Sequence, residues 1–398
     1  MDNLVFRNGS NTIHNACVGN NGMPGYMDFA RGYSTSANAL IELYLSDNSN
    51  KYHQDEMIYP ICFNMRHSIE LRIKNELSLL QQLSSLKKQR SPLESTMGHD
   101  INKIWETFKT KSASIDKRYC ELITLLDQYI KDIGKIDAKG QTFRYPENNK
   151  KIRHLTEVRI INIERLSHVF TYIEERMEEL NMLSENLIEE YDKGSFTQTL
   201  SRQDIMHISM CLPSIDNWNE DTFAIQKEKL RTEYSISNRE LIRCINIIKE
   251  HYEFSLNIDM DLDLLGVTEE SLDAYYSSWQ EINMDYGNTP EQSTEMIKIY
   301  MPSLDDLKKH DELKTKAWRD NQHLVTVEYV SGLRALYDFG YNLKYSEDYI
   351  RDYKSNIKEL NARQKTERGI LKEEFLDILT KINGLCNIKK SIDFLKPY

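Results

Sequence analysis

Proline and glycine are scarce, with 8 and 15 in 398 residues. An all-β fold needs frequent turns, and this chain cannot supply them. Cysteine is thin as well. The six lie far apart, at 17, 62, 120, 211, 244 and 386, and no two have metal-ligand or redox spacing. They read as reduced, mostly buried thiols of a cytoplasmic protein. No apolar run approaches the length of a membrane-spanning helix, and the opening residues MDNLVFRNGSNT do not form a signal peptide. Basic excess is missing too: the net charge is −11, which speaks against extended duplex DNA as a partner.

Familiar catalytic fingerprints are also lacking. The chain has no phosphate-loop Gly-Lys-Thr/Ser, no His-Glu-x-x-His, no Gly-x-Ser-x-Gly and no dinucleotide signature. Asp259, Asp261, Asp263 and Glu270 have the first, third, fifth and twelfth spacing of a calcium loop. The sixth position, however, is Leu264 where the turn needs glycine. No metal and no cofactor is expected.

Helix formers dominate what remains. The stretch Met57–Leu80 carries Ile58, Ile61, Cys62, Met65, Ile69, Ile73, Leu77 and Leu80 at helical spacing, which makes it the spine of a bundle. A first helix is expected over about Tyr26–Leu45, buried through Phe29, Tyr33, Ala37, Leu40, Ile41 and Tyr44. The spine should run to about Leu86 and break at Ser91-Pro92. His99-Asp100 opens a short helix with Asp100 as its N-cap or first-turn acid. Further helices follow at about 114–133 and 156–191, the second ending at Gly194. Beyond it come 221–233, 237–252, 268–282, 289–300, 303–318, 322–341, 345–366 and 367–395. The chain is therefore all-α. Residues 1–25 form an irregular arm, 26–200 an N-terminal bundle and 215–398 a C-terminal helical region.

Three polar constellations stand out. Arg66, Glu70 and Lys74 repeat every four residues on the spine. They make either a solvated salt-bridge row or a polar site in which Arg66, His67 and Lys74 meet phosphate and Glu70 orients them. His99, beside a helix start, can act as a general base or hold an anion, or can simply close the helix. The loop after residue 133 is the most basic surface, with Lys135, Lys139, Arg144, Lys150, Lys151, Arg153 and His154. Arg144 sits between Phe143 and Tyr145, a grouping suited to stacking and neutralising single-stranded RNA. The plainer alternative packs both aromatics on the bundle and pairs Arg144 with an acid.

The order of these features resembles the HEPN superfamily of helical domains. The likeness rests on Glu70-Leu71-x-x-Lys74 in the second helix, then His99-Asp100 with Ile101 and Trp105. Phe143-Arg144-Tyr145-Pro146 and Leu333–Tyr349 are similar to segments of bacterial proteins carrying an Arg-His-x-x-Glu-Leu helix. The resemblance implies an antiviral-defence, abortive-infection or toxin-type protein, with a metal-independent endoribonuclease in residues 26–200. It also implies a homodimer, or a subunit of a defence complex, acting on RNA. The family's signature, Arg then four to six residues then His, is met at Arg7…His14 in the arm and at Arg202…His207 after the long helix. On this reading Arg202 or Arg144 neutralises phosphate, and His207 or His99 moves the proton. The alternative expectation is a non-catalytic helical sensor or scaffold. A third is nucleotide binding through Arg66, Lys74 and His99.

Overall fold

The computed structural model describes residues 4–47, 49, 51–88, 98–148, 150–283 and 304–397. Among them the chain is all-α, with fifteen α-helices and no strand. It divides into two units, Met1–Asp192 and Lys193–Tyr398.

The first unit holds α1 (Tyr26–Leu45), α2 (Gln54–Leu86), α3 (Ile101–Ile115), α4 (Tyr119–Asp137) and α5 (Ile163–Asp192). Helix α2 is its axis, packing on α1, α3 and α5, while α4 bridges α3 and α5. It is buried almost all round: Ser68 to Lys74 is sealed without a break. Burial of Ile61, Ile69, Ile73, Leu77, Leu80 and Leu83 supplies its apolar drive.

Several expected boundaries move, each for a visible reason. The buried face of α1 is Ala30, Ser34, Ala37 and Ile41, while Phe29 is exposed. Small residues there let α1 lie close to α2. Helix α3 continues through Ser114, so the next helix starts at Tyr119. Between them Asp116 accepts from the backbone and the guanidinium of Arg118. The long helix starts at Ile163 instead of 156, where the Asn162 side chain accepts from the Arg165 amide at 2.8 Å.

The second unit carries α6 (Arg202–Cys211), α7 (Asp221–Glu233), α8 (Asn238–Glu250), α9 (Tyr252–Ser255), α10 (Glu269–Asn283), α11 (Leu304–Asn321), α12 (Val327–Phe339), α13 (Ser346–Arg363), α14 (Ile370–Thr380) and α15 (Gly384–Leu395). It has two cores. One gathers Ile205, Ile208, Leu230, Leu241, Ile248 and Phe254. The other surrounds α12 with Tyr275, Leu333, Leu336, Tyr349, Phe375 and Ile388.

The run expected over 367–395 is two helices. The end of α14 is held from outside, because Trp279 Nε1 donates to the Lys381 carbonyl and Asn283 to that of Leu379. Gly384 then starts α15 where any Cβ would lie 2.6 Å from Tyr275 Oη. The helix expected at 289–300 and the Ser91-Pro92 break lie outside the described residues. No helix among the described residues is long and apolar enough to cross a membrane.

Candidate functional site

The charged row on α2 is not solvated. Arg66, Glu70 and Lys74 are 3%, 1% and 6% exposed. Glu70 lies at the centre. Lys74 Nζ donates to its Oε1 at 2.7 Å, and Arg66 Nη1 donates to Oε2. His99 Nδ1 lies 2.9 Å from Oε1, and His67 Nδ1 lies 3.9 Å from Oε2. Burial alone pushes the Glu70 carboxyl up. His67, Lys74 and Arg66 outweigh it and hold the group well below the usual carboxylate range. Glu70 is therefore a buried, ionised carboxylate.

Arg66 has a second task. Its Nε donates to the Asp137 carbonyl at 3.0 Å, and its Nη2 donates to those of Ala138 at 2.8 Å and His99 at 2.6 Å. Asp137 and Ala138 end α4, so the guanidinium caps carbonyls that have no helical partner. It also fixes the backbone of His99 directly. With every cationic edge engaged, Arg66 presents nothing to a ligand. Lys74 is buried with its ammonium on Glu70.

His99 is the outward part of this cluster. Asp100 caps α3 by accepting from the Lys103 amide at 3.3 Å, which sets His99 just ahead of the helix. The His99 side chain is 71% exposed, while the Glu70 side chain it touches is 1% exposed. A carboxylate facing Nδ1 makes that nitrogen the donor, so Nε2 points its lone pair away. Among the described residues Nε2 has no hydrogen-bond partner. This imidazole, oriented by a buried carboxylate, can take or give a proton at Nε2.

Beside it runs a row of rings. His67 stacks on Phe63 at 5.6 Å and meets the Tyr33 edge at 4.5 Å. The Arg144 guanidinium lies 5.3 Å over Phe63 and 5.6 Å from the Tyr145 ring. Among the described residues it pairs with no acid. Arg153 is exposed and His154 half-buried in the loop between α4 and α5, where Glu147 and Arg153 form an isolated bridge. Sequence reasoning named His67 and Arg144, missed Phe63 and gave Tyr33 only to the buried face of α1. The four-residue spacing of Phe63 and His67 was the available signal.

Arg202 and His207 lie elsewhere. Both are on α6 in the second unit, and at five residues apart they occupy different faces of the helix. His207 is exposed. Arg202 donates to Glu253, to Glu347 Oε1 at 2.8 Å and to Glu347 Oε2 at 3.2 Å. Its guanidinium lies 5.0 Å from both the Phe254 and Tyr345 rings. His251, buried, places Nε2 2.9 Å from Glu347 Oε1. Nothing local in the sequence joins Arg202 to residues 251, 253 and 347.

His251, Glu253 and Glu347 have the makings of a metal site, with ligand atoms within 4.8 Å of one another. The imidazole does not suit one. Its Nδ1 accepts from the amides of Glu253 and Phe254, so its proton sits on Nε2, the only nitrogen turned toward the carboxylates. Arg202 already supplies the positive charge. The Arg202–His207 pair is therefore not assembled as a site, and His99 is the sequence-expected acid–base group that the fold sets against a carboxylate with an open edge.

No protein-family model, curated protein or solved structure matches this chain.

Proposed function

We propose that the first unit is a HEPN-like, metal-independent endoribonuclease of the defence or toxin type, with His99 as its acid–base group. The observation that supports it is the exposed His99 ring held at 2.9 Å by the buried Glu70 carboxylate. In this reading Nε2 removes the proton from a ribose 2′-OH, and that oxygen attacks the adjoining phosphorus. The bond to the 5′-oxygen breaks, the leaving oxygen takes a proton from water, and a 2′,3′-cyclic phosphate remains. Glu70 keeps the tautomer and stabilises the imidazolium as it forms. Arg66 positions His99 and leaves phosphate contact to Arg144. A second copy would bring a second His99, as the resemblance implies.

A second reading is a non-catalytic sensor or scaffold. The burial of Arg66 and Lys74 against Glu70 favours it, since buried charge networks also serve to fix structure. Cleavage of total RNA and of a tRNA pool by the purified chain in EDTA separates the two. The ribonuclease reading expects cyclic-phosphate ends and a loss of about 10²–10⁴-fold in His99→Ala. His207→Ala should cut like wild type. No cleavage by wild type, alone or with extract of phage-infected cells, supports the sensor reading. Cleavage unchanged in His99→Ala removes His99 from the mechanism.

A further inference from the structure

We infer that the row Tyr33–His67–Phe63–Arg144–Tyr145 is a nucleobase-stacking subsite, which seats an unpaired base of single-stranded RNA beside His99. The inference rests on the ribonuclease reading for its substrate, but its geometry is independent of catalysis.

The row is built from three separated pieces of chain. Phe63 and His67 share one face of α2, one turn apart. Tyr33 comes from α1 and sets its edge against both rings, at 6.3 Å and 87° to Phe63 and at 4.5 Å and 80° to His67. Phe63 and His67 are nearly parallel, at 11°. Arg144 extends the row outward, and its plane is fixed because Nε donates to the Gly140 carbonyl at 2.5 Å. Gly140 has φ +70, and a Cβ there would lie 3.0 Å from Arg66 Nη1. The loop that aims Arg144 is thus seated on the residue that fixes His99.

The exposure runs the right way for a ligand. Tyr33, Phe63 and His67 are half-buried, whereas Arg144 and Tyr145 are exposed. Among the described residues the two Nη atoms of Arg144 carry no hydrogen bond or ion pair, although acids are plentiful in the chain. A guanidinium lying on rings with open Nη atoms offers both a flat face for a base and donors for its phosphate. The inner end of the row meets the same carboxylate as His99, since His67 faces Glu70 Oε2 and His99 faces Oε1. Lys150, Lys151 and Arg153 are exposed on the same loop and suit a phosphate backbone. A flat, cationic platform of this kind needs bases out of a helix, so the strand is single.

The test is fluorescence anisotropy with the full chain in EDTA. The probe is a labelled 2′-O-methyl oligouridylate, which has no 2′-OH to react. Phe63→Leu and Arg144→Gln should each weaken binding by about 5- to 100-fold, the range for losing one stacked base. His207→Ala, exposed on α6 in the second unit, should bind like wild type. An abasic oligomer of the same length should bind wild type as weakly as the oligouridylate binds Phe63→Leu. Equal affinity for the abasic chain overturns the inference, as does wild-type affinity in Arg144→Gln or no binding by wild type. Arg144 is on the surface, so its variant tests the row even if Phe63→Leu unfolds. Base-dependent binding without any RNA cleavage keeps the subsite and removes the ribonuclease. Cleavage lost in His99→Ala but untouched by Arg144→Gln and Phe63→Leu does the reverse.

Discussion

Each unit contains a carboxylate, a guanidinium and an imidazole at a junction of helices, and the two clusters are put to different use. In the first, Glu70 faces Arg66, Lys74 and His99. In the second, Glu347 faces Arg202 and His251. Both imidazoles approach their carboxylate to 2.9 Å. In both, burial pushes the carboxyl up and an imidazole hydrogen bond together with the neighbouring cations overcomes it, leaving the group well below the carboxylate range. The difference lies in the other ring nitrogen. His251 uses Nδ1 to cap α9 and stacks on Phe254 at 3.6 Å, so the ring is sealed. His99 turns Nε2 outward. The same three side-chain types make a bolt where every edge is occupied and a reactive group where one edge is left open.

The largest effects should come from breaking either cluster at its charge. Arg202→Ala leaves Glu253 unpaired and Glu347 with His251 alone, and Glu70→Gln removes the counter-charge of Arg66 and Lys74. Each should cost about 3–5 kcal/mol in urea melts at pH 7. The Glu70 contribution carries a pH signature. Its folded carboxyl is held below the unfolded value of 4.5, so the stability is fully present above that pH and lost as pH falls through the folded value. The gap between wild type and Glu70→Gln should therefore narrow below pH 4.5. A gap constant down to acid unfolding would mean that Glu70 is not charged in the fold.

Glu76 sharpens the comparison, because it is a buried carboxylate with no ion pair among the described residues, and Arg72 only weakly offsets its burial. Ser184 Oγ donates to its Oε2 at 2.5 Å, while among the described residues Oε1 has no partner. Burial, the dominant cause, pushes its pKa up from 4.5 to about 7. The native state then holds a proton that the unfolded chain releases, so stability falls as pH rises from 4.5 through 7. Glu76→Gln should restore about 3 kcal/mol at pH 8 and change little at pH 4. A thermal melting temperature unchanged at pH 8 would place a counter-charge near Glu76.

The smallest effect should be the most discriminating. His99→Ala should shift stability by no more than about 0.5 kcal/mol, since the ring is exposed. His251→Ala should cost about 2 kcal/mol through the lost cap and the hole beside Phe254. Equal losses in paired urea titrations would erase the distinction between open and sealed clusters.

The sequence alone determined the helical class, the spine helix, the ends of α1 and an acid at the start of α3. These follow from spacing, scarcity of breakers and side-chain chemistry within one turn, all of which are local. It also put Arg66, Glu70, Lys74 and His99 in order along the chain. It left open whether the row on α2 was solvated, because a four-residue repeat of charges looks the same on a wet face and a buried one. Only tertiary packing decided that, by sealing α2 from Ser68 to Lys74 between α1, α3 and α5. It likewise turned the core face of α1 from Phe29 to Ala30, where small side chains admit the neighbouring helix. Packing separated Arg202 from His207 and joined it to residues far along the chain. The open edge of His99 is decided in the same way: Arg66 holds its backbone to the end of α4, and Glu70 holds Nδ1 while the rest of the ring is exposed.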